Sequence, residues 1–181
     1  MKIPLELYIH IPFCIRKCDY CDFLSFSSTR EQQKTYMKGL HREIGGSGTC
    51  PEHHVATVFF GGGTPSVLEA ERLAEVLELL KDRFQFDQDA EITLEANPGT
   101  LSEEKLRVYR EAGFNRLSLG CQSGHSEELK QLGRIHTYEE FLESFSMARK
   151  MGFSNINVDL MSGLPGQTLK SYEVSLHTIA K

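Results

Sequence analysis

The chain has no apolar run long enough to cross a bilayer: stretches such as Val58-Phe59-Phe60 fall far short of the roughly 20 residues a spanning helix needs. Nor does it begin with a basic segment followed by an apolar one, so it reads as cytoplasmic. A long basic block is missing as well. Its 20 Lys and Arg stand against 25 Asp and Glu, a net charge of -5, and no nucleic-acid partner is expected from counterion release. There is no spaced disulfide framework either. The cysteines number five, an odd count, with three of them inside eight residues, which suits thiolates around a metal in a reducing compartment better than paired bridges. At 181 residues, 40% apolar and 25% charged, the composition is that of one folded domain, and a chain of this size buries roughly 70% of its unfolded surface without staples.

What is present is an alternation of strand and helix. Residues 5–11, 55–60, 90–95, 115–119 and 155–160 are β-branched or aromatic runs bounded by Gly, Pro or Asn. Helical periodicity fills the intervals 30–44, 67–84, 102–112, 137–151 and 168–179, most clearly where Leu68, Leu73, Val76, Leu77 and Leu80 make one apolar stripe. Ser102 followed by Glu103 and Glu104 is a capped, acidic helix start. Strand, helix, strand in repetition implies an α/β fold with parallel strands. The strand-to-helix loops then share one face, and each is unusual: Pro12-Phe13-Cys14, Gly61-Gly62-Gly63-Thr64-Pro65, Ala96-Asn97-Pro98-Gly99, Gly120-Cys121-Gln122-Ser123 and Gly163-Leu164-Pro165-Gly166.

Cys14, Cys18 and Cys21 have the spacing C-x3-C-x2-C directly after the first strand. A structural zinc usually takes four protein ligands, whereas a four-iron cluster on three cysteines keeps one iron open for chemistry. Zinc stays open as an alternative, with His10 or Cys50 as fourth ligand. Gly61, Gly62 and Gly63 let the backbone come close to a ligand. Glu95, Gln122 and Asp159 stand at or near three further strand ends, where they can accept hydrogen bonds from hydroxyls or an ammonium. Arg134 can pair with a carboxylate. Each alone reads equally well as a solvated or capping residue; their joint placement singles them out.

A C-x3-C-x2-C loop after the first strand and Gly-Gly-Gly-Thr-Pro after the second resemble the radical S-adenosylmethionine (SAM) superfamily. Tyr8-Ile9-His10-Ile11-Pro12-Phe13-Cys14, Glu95 to Gly99, Leu117-Ser118-Leu119-Gly120 and Gly163-Leu164-Pro165-Gly166-Gln167-Thr168 are similar to its oxygen-independent coproporphyrinogen III oxidase family, over essentially the whole chain. The resemblance implies a partial parallel (β/α)6 barrel, TIM-barrel-like and truncated after about five βα units. It implies a [4Fe-4S] cluster on Cys14, Cys18 and Cys21, with SAM on the open iron. By the same resemblance Gly61, Gly62, Gly63 and Thr64 take the methionine end, Arg134 the carboxylate, Gln122 and Asp159 the ribose, with Glu95 completing the set. Tyr20 would set its backbone against the adenine, and Tyr8 would lie near the cluster. Because the pattern stops at Lys181 after a fifth helix, residues 1–181 are expected to be the radical SAM core of a longer protein, without its sixth strand and C-terminal domain.

Within the family, the oxidase branch has a further cysteine two residues after the third, where this chain has Phe23, and a long N-terminal arm, where only 13 residues precede Cys14. Both features favour the haem-chaperone branch, HemW. The expected function is therefore a radical SAM protein that binds haem and delivers it to target haemoproteins. The alternative is the enzyme, coproporphyrinogen III dehydrogenase, which decarboxylates coproporphyrinogen III to protoporphyrinogen IX through a 5'-deoxyadenosyl radical. The implied partners are haem or coproporphyrinogen, an electron donor the sequence does not identify and a haemoprotein recipient; the tetrapyrrole determinants are expected beyond Lys181. Ser123-Gly124 departs from the aromatic usual after Gln-Ser and bears on loop packing. Cys50 reads as a bystander, Cys121 as a small buried hydrophobe and His136 as a surface residue.

Overall fold

The computed structural model describes residues 2–180. Strand β1 (Ile3–Ile11) runs into a cysteine-bearing loop whose ends meet as two short strands, β2 (Phe13–Cys14) and β3 (Phe26–Ser27). Helix α1 (Arg30–Gly46), strand β4 (His53–Gly62) and helix α2 (Ala70–Arg83) follow, then β5 (Phe86–Ala96) and α3 (Glu103–Ala112). The chain continues through β6 (Arg116–Gln122), the short α4 (Ser126–Gln131), α5 (Tyr138–Lys150), β7 (Asn155–Leu160) and α6 (Leu169–Ile179). The main sheet has five parallel strands in the order β1-β4-β5-β6-β7. Each strand is followed by helix, which is the repeating unit of a β/α barrel, here an open arc of it.

Local chemistry explains where the helices begin. Thr29, Thr137 and Thr168 each close a capping box with the residue three positions on, and Ser102 caps α3 through Lys105 N–H. The helix expected over 67–84 starts later, because Pro65 first drives a single 3-10 turn (Pro65–Val67). Its stripe still forms: Leu68, Leu73, Val76, Leu77 and Leu80 are all buried. Two features had no sequence expectation, the β2–β3 pair and α4. None of the described helices is long and apolar enough to cross a membrane.

The strands sort their side chains by parity. Ile9, Ile11, Val58, Phe60, Ile92, Leu94 and Leu117 join the helices in one core, while Leu119 and Cys121 join α5 and α6 in a second cluster. The other face carries Glu95, Ser118 and Asp159, so one sheet face is apolar and the other chemical. Phe114 anchors the first core, with ring centroids 5.0 Å from Phe60 and 5.6 Å from Tyr109. Tyr109 is fully buried, and its hydroxyl has no partner among the described residues.

An unpartnered buried hydroxyl costs stability that the ring's packing must offset. Tyr109→Phe is therefore expected to leave the urea midpoint unchanged or raise it, whereas Leu77→Ala, which opens a cavity at a fully buried position, lowers stability by about 2–5 kcal/mol. A large loss in Tyr109→Phe would mean the hydroxyl has a partner.

Candidate functional site

The loop that carries the cysteines is closed mechanically. Phe13 pairs with Phe26 and Cys14 with Ser27, Phe26 N–H donates to Pro12 O (2.9 Å), and Ser27 Oγ donates to Ile15 O (3.0 Å). Cys21 N–H turns back to Cys18 O (3.1 Å), and Asp19 N–H reaches Leu132 O beyond α4 (3.2 Å). Cys14, Cys18 and Cys21 are free, half-buried thiols that line one cavity of about 140 Å³. Among the described residues, no three His, Cys, Asp or Glu side chains are grouped to hold a single metal ion. The thiols thus share a chamber instead of converging on a point. Soft thiolate donors around a chamber suit a multi-atom iron–sulfur core.

The glycine loop after β4 forms the adjoining wall. Gly62 and Gly63 line the cavity with Thr64, whose Oγ1 lies 3.7 Å from Cys14 Sγ. Sequence reasoning gave these glycines a ligand-facing purpose; the structure adds a packing one. A Cβ at Gly62 would sit 2.4 Å from the His10 ring, at a φ of +113°, and one at Gly63 would sit 2.7 Å from Phe13 O. The bare backbone is what lets the glycine loop lie against the first strand's end. Gly62 N–H donates to Glu95 Oε2 (3.0 Å). Burial raises the Glu95 carboxyl above its usual range against the lowering effect of that N–H, and the nearby charge of Asp159 adds to the rise.

Arg134 crosses the cavity. Its Nη2 donates to Asn97 Oδ1 and to Gly120 O, both at 2.7 Å, and its Nη1 faces Cys18 Sγ (3.7 Å) and Tyr20 OH (3.5 Å). Nε is buried with no partner, and no carboxylate of the described residues forms an ion pair with the guanidinium. This cation fits a cavity built to receive an anion. Asn97 was not singled out from the sequence, yet its Nδ2 also donates to Thr64 Oγ1 (2.9 Å), tying the glycine loop to Arg134. Its position in the quoted strand-end loop was the available signal.

Gln122 and Asp159 come from neighbouring strands. Register slips between Gly120 and Gln122 opposite β7, a bulge that accommodates Cys121, and Gln122 takes a φ of +68°. Asp159 accepts from Asn157 Nδ2 (2.7 Å) and from Ser118 Oγ (3.2 Å), which orients its carboxylate on the cavity side. Ser118 also lines the cavity and had no sequence signal beyond strand parity.

The structure thus brings Cys14, Cys18, Cys21, Tyr20, Gly62, Gly63, Thr64, Glu95, Gln122, Arg134 and Asp159 to one cavity. Tyr8 and Gly61 do not line it: Tyr8 is 58% exposed and stacks on Phe59, and Gly61 packs against Phe59 and Glu95. Of the five strand-end loops, the one after β7 stays outside the lining. Cys50 precedes β4, at the strand's amino end, and so lies at the opposite end of the sheet from the other cysteines. His10 Nε2 is engaged by Leu24 O (2.9 Å). Cys121 is fully buried, and burial pushes its thiol up to about 12, leaving it inert. His136 corrects the sequence reading: it is 4% exposed, tucked behind the bulge with Nε2 3.3 Å from Cys121 O. Periodicity could not reveal this, because the ring lies against the bulge at Cys121, which was unforeseen.

Known proteins are similar to this chain in sequence and fold. The model of the radical SAM superfamily matches residues 8–179. The chain is 42% identical over 173 residues to the heme chaperone HemW of Bacillus subtilis, covering 94% of this chain and 46% of that protein. It is 42% identical over 169 residues to the heme chaperone HemW of Escherichia coli, with 92% and 45% covered. Among solved structures it is similar to coproporphyrinogen III oxidase (HemN) from Escherichia coli, a radical SAM enzyme, with a TM-score of 0.88, 34% identity and coverage of 99% of this chain and 42% of that one. The chain spans less than half the length of these relatives.

The buried imidazole gives a pH test. Burial, and then the charge of Arg134, lower the His136 pKa from 6.5 to about 4. Below pH 6.5 the unfolded chain takes up a proton that the native one refuses, so the stability is complete above that pH and is lost as pH falls toward 4. The expected loss is on the order of 3 kcal/mol. His136→Gln, which keeps a donor for Cys121 O but does not titrate, should show a shallower fall of the urea midpoint over this range; identical slopes in the two proteins would refute the assignment.

Proposed function

The chain belongs to the radical SAM superfamily, and we propose that it is the core of a HemW-type haem chaperone that holds a [4Fe-4S] cluster and SAM in the cavity. One observation carries the reading. Three thiols and a guanidinium without a carboxylate partner face the same cavity, so soft metal ligands and an anion site lie side by side. When bound, the cluster and SAM together supply one-electron chemistry at a sulfonium centre.

The chain's own residues have distinct tasks in this reading. Cys14, Cys18 and Cys21 hold the cluster and leave one iron without a protein ligand. Arg134 binds the SAM carboxylate through its guanidinium while Nη2 stays on Asn97 and Gly120. Glu95 and Asp159 offer acceptors to the ammonium and ribose, and Gln122 offers its amide to the ribose hydroxyls. The Tyr20 backbone meets the adenine, and Gly62, Gly63 and Thr64 flank the methionine end. Haem capture and delivery draw on the relatives named HemW and on Phe23, which stands where the oxidase branch has its additional cysteine. Residues 1–181 form the cofactor-binding part of this protein, and the tetrapyrrole contacts lie elsewhere in it.

Two measurements test the reading. After anaerobic reconstitution, Cys18→Ala should fall to background iron while Cys50→Ala keeps the wild-type content; equal loss in both would overturn the ligand set. The full-length protein should bind haem in a titration and form no protoporphyrinogen from coproporphyrinogen III under reducing, SAM-replete conditions. Decarboxylation would replace the chaperone reading with the enzyme.

A further inference from the structure

A buried carboxylate outside the cavity ties together the two loops that present Gln122 and Asp159. Glu128, on α4, is 8% exposed. Its Oε2 accepts from Ser123 Oγ (2.6 Å) and Gln167 Nε2 (3.1 Å), and its Oε1 lies 2.9 Å from Ser171 Oγ. Ser123 immediately follows Gln122, and its Oγ also accepts from His125 N–H (3.0 Å), so the loop after β6 is wound around this hydroxyl. Gln167 does the same for the loop after β7: its Oε1 accepts from Gly163 N–H (2.7 Å), and its Nε2 also reaches Met161 O (3.3 Å). Met161 N–H in turn donates to Gln122 O (2.9 Å), which closes the circuit. Gly124 N–H to Ser175 Oγ (3.1 Å) and the Ser171 O contact of His125 Nε2 (2.9 Å) fasten the loop after β6 to α6.

The circuit has a job to do. Gln122 has a left-handed backbone beside a bulge, a conformation that persists only where its surroundings over-determine it. The lower part of Asp159's strand is held by regular pairing, but the chain leaves β7 one residue after it. Gln122 therefore depends on how its loop is held, while Asp159 beside it is oriented from within the sheet by Asn157 and Ser118. The hydrogen bonds from Ser123, Gln167 and Ser171 outweigh the effect of burial and keep the Glu128 carboxyl below its ordinary range, so it serves as a charged acceptor.

We propose that Glu128, acting through Ser123 and Gln167, is a positioning residue that holds Gln122, beside Asp159, toward the ribose of SAM. The inference rests on the reading of the cavity as a SAM site, and it gives a function to the Ser123-Gly124 departure: Ser123 supplies the donor to Glu128, and Gly124 fits against Ser175, whose Cα a Cβ at 124 would approach to 3.4 Å. None of Ser123, Glu128 and Gln167 lines the cavity, so loss of Glu128 should act on ligand geometry without removing a ligand contact.

The test uses the full chain, anaerobically reconstituted, with radiolabelled SAM and radiolabelled methionine in equilibrium dialysis, iron analysis and thermal melts. Glu128→Gln and Ser123→Ala should each weaken SAM binding about tenfold while iron content and the methionine affinity stay at wild-type levels. Glu127→Ala, one residue away on the exposed side of the same helix, should change neither. Wild-type SAM affinity in both Glu128→Gln and Ser123→Ala overturns the proposal, as does a parallel loss of iron, methionine and SAM binding, which a merely structural role would produce. If the wild type itself holds iron but no SAM, the reading of the cavity falls and this inference with it.

Discussion

One guanidinium sets the geometry of the cavity. Arg134 spans the end of β5 through Asn97, the end of β6 through Gly120 O and the cysteine loop through Cys18 and Tyr20. A lysine could satisfy one of these partners but not the divergent set, because only a planar fork presents several donors in fixed directions. The room for it is made by Gly120. A Cβ there would lie 3.0 Å from Arg134 Nη2, 2.9 Å from Asn97 Oδ1 and 2.8 Å from Gln122 Nε2. The glycine's contribution is thus the space in which three loops meet around one cation.

Strand parity then decides which charges face that cation. Glu95 and Asp159 project to the cavity side while their neighbours Leu94, Ala96, Val158 and Leu160 belong to the hydrophobic clusters. The two carboxylates repel, and burial penalises the charge on Glu95 further. A ligand that brings an ammonium relieves this cost, and one that brings a carboxylate satisfies Arg134. An α-amino acid group carries both charges, which supports the proposal that the methionine end of SAM is taken here.

Much of this was legible in the sequence because period and spacing carry it. The five long strands and the helices around them follow from alternation and from caps such as Ser102 and Thr137, and the cysteine spacing marked the loop that bears the thiols. The rest depends on contacts that pattern does not encode. Pro65 moved the start of α2, because a proline near an apolar stripe sets where the helix begins without erasing the stripe. The strands β2 and β3 are two residues each, too short for any period. Asn97 looks like an ordinary turn residue until Arg134, 37 positions later, is placed on it. His136 was read as surface because the ring meets Cys121 O at a bulge, which leaves no periodic trace.

Strand parity brings Gln122 to the cavity, and the bulge sets the backbone on which it stands. In a parallel pair, residues in register point to the same side of the sheet. Gly120 is in register with Asp159, but after the extra residue Cys121 it is Gln122 that faces Leu160, a residue of the hydrophobic cluster. Alternation along β6 keeps Gln122 on the face of Ser118 and Gly120, opposite Leu119 and Cys121 of the cluster. The left-handed φ at Gln122, where the bulge ends the regular pairing, costs about 1–3 kcal/mol for a residue with a side chain. Such a cost is tolerated only where neighbouring bonds hold the conformation, and here they come from the far side: Met161 on Gln122 O, and Ser123 on Glu128. The cavity is therefore supported from behind, by a polar circuit at the end of the sheet that holds one strained backbone position beside it.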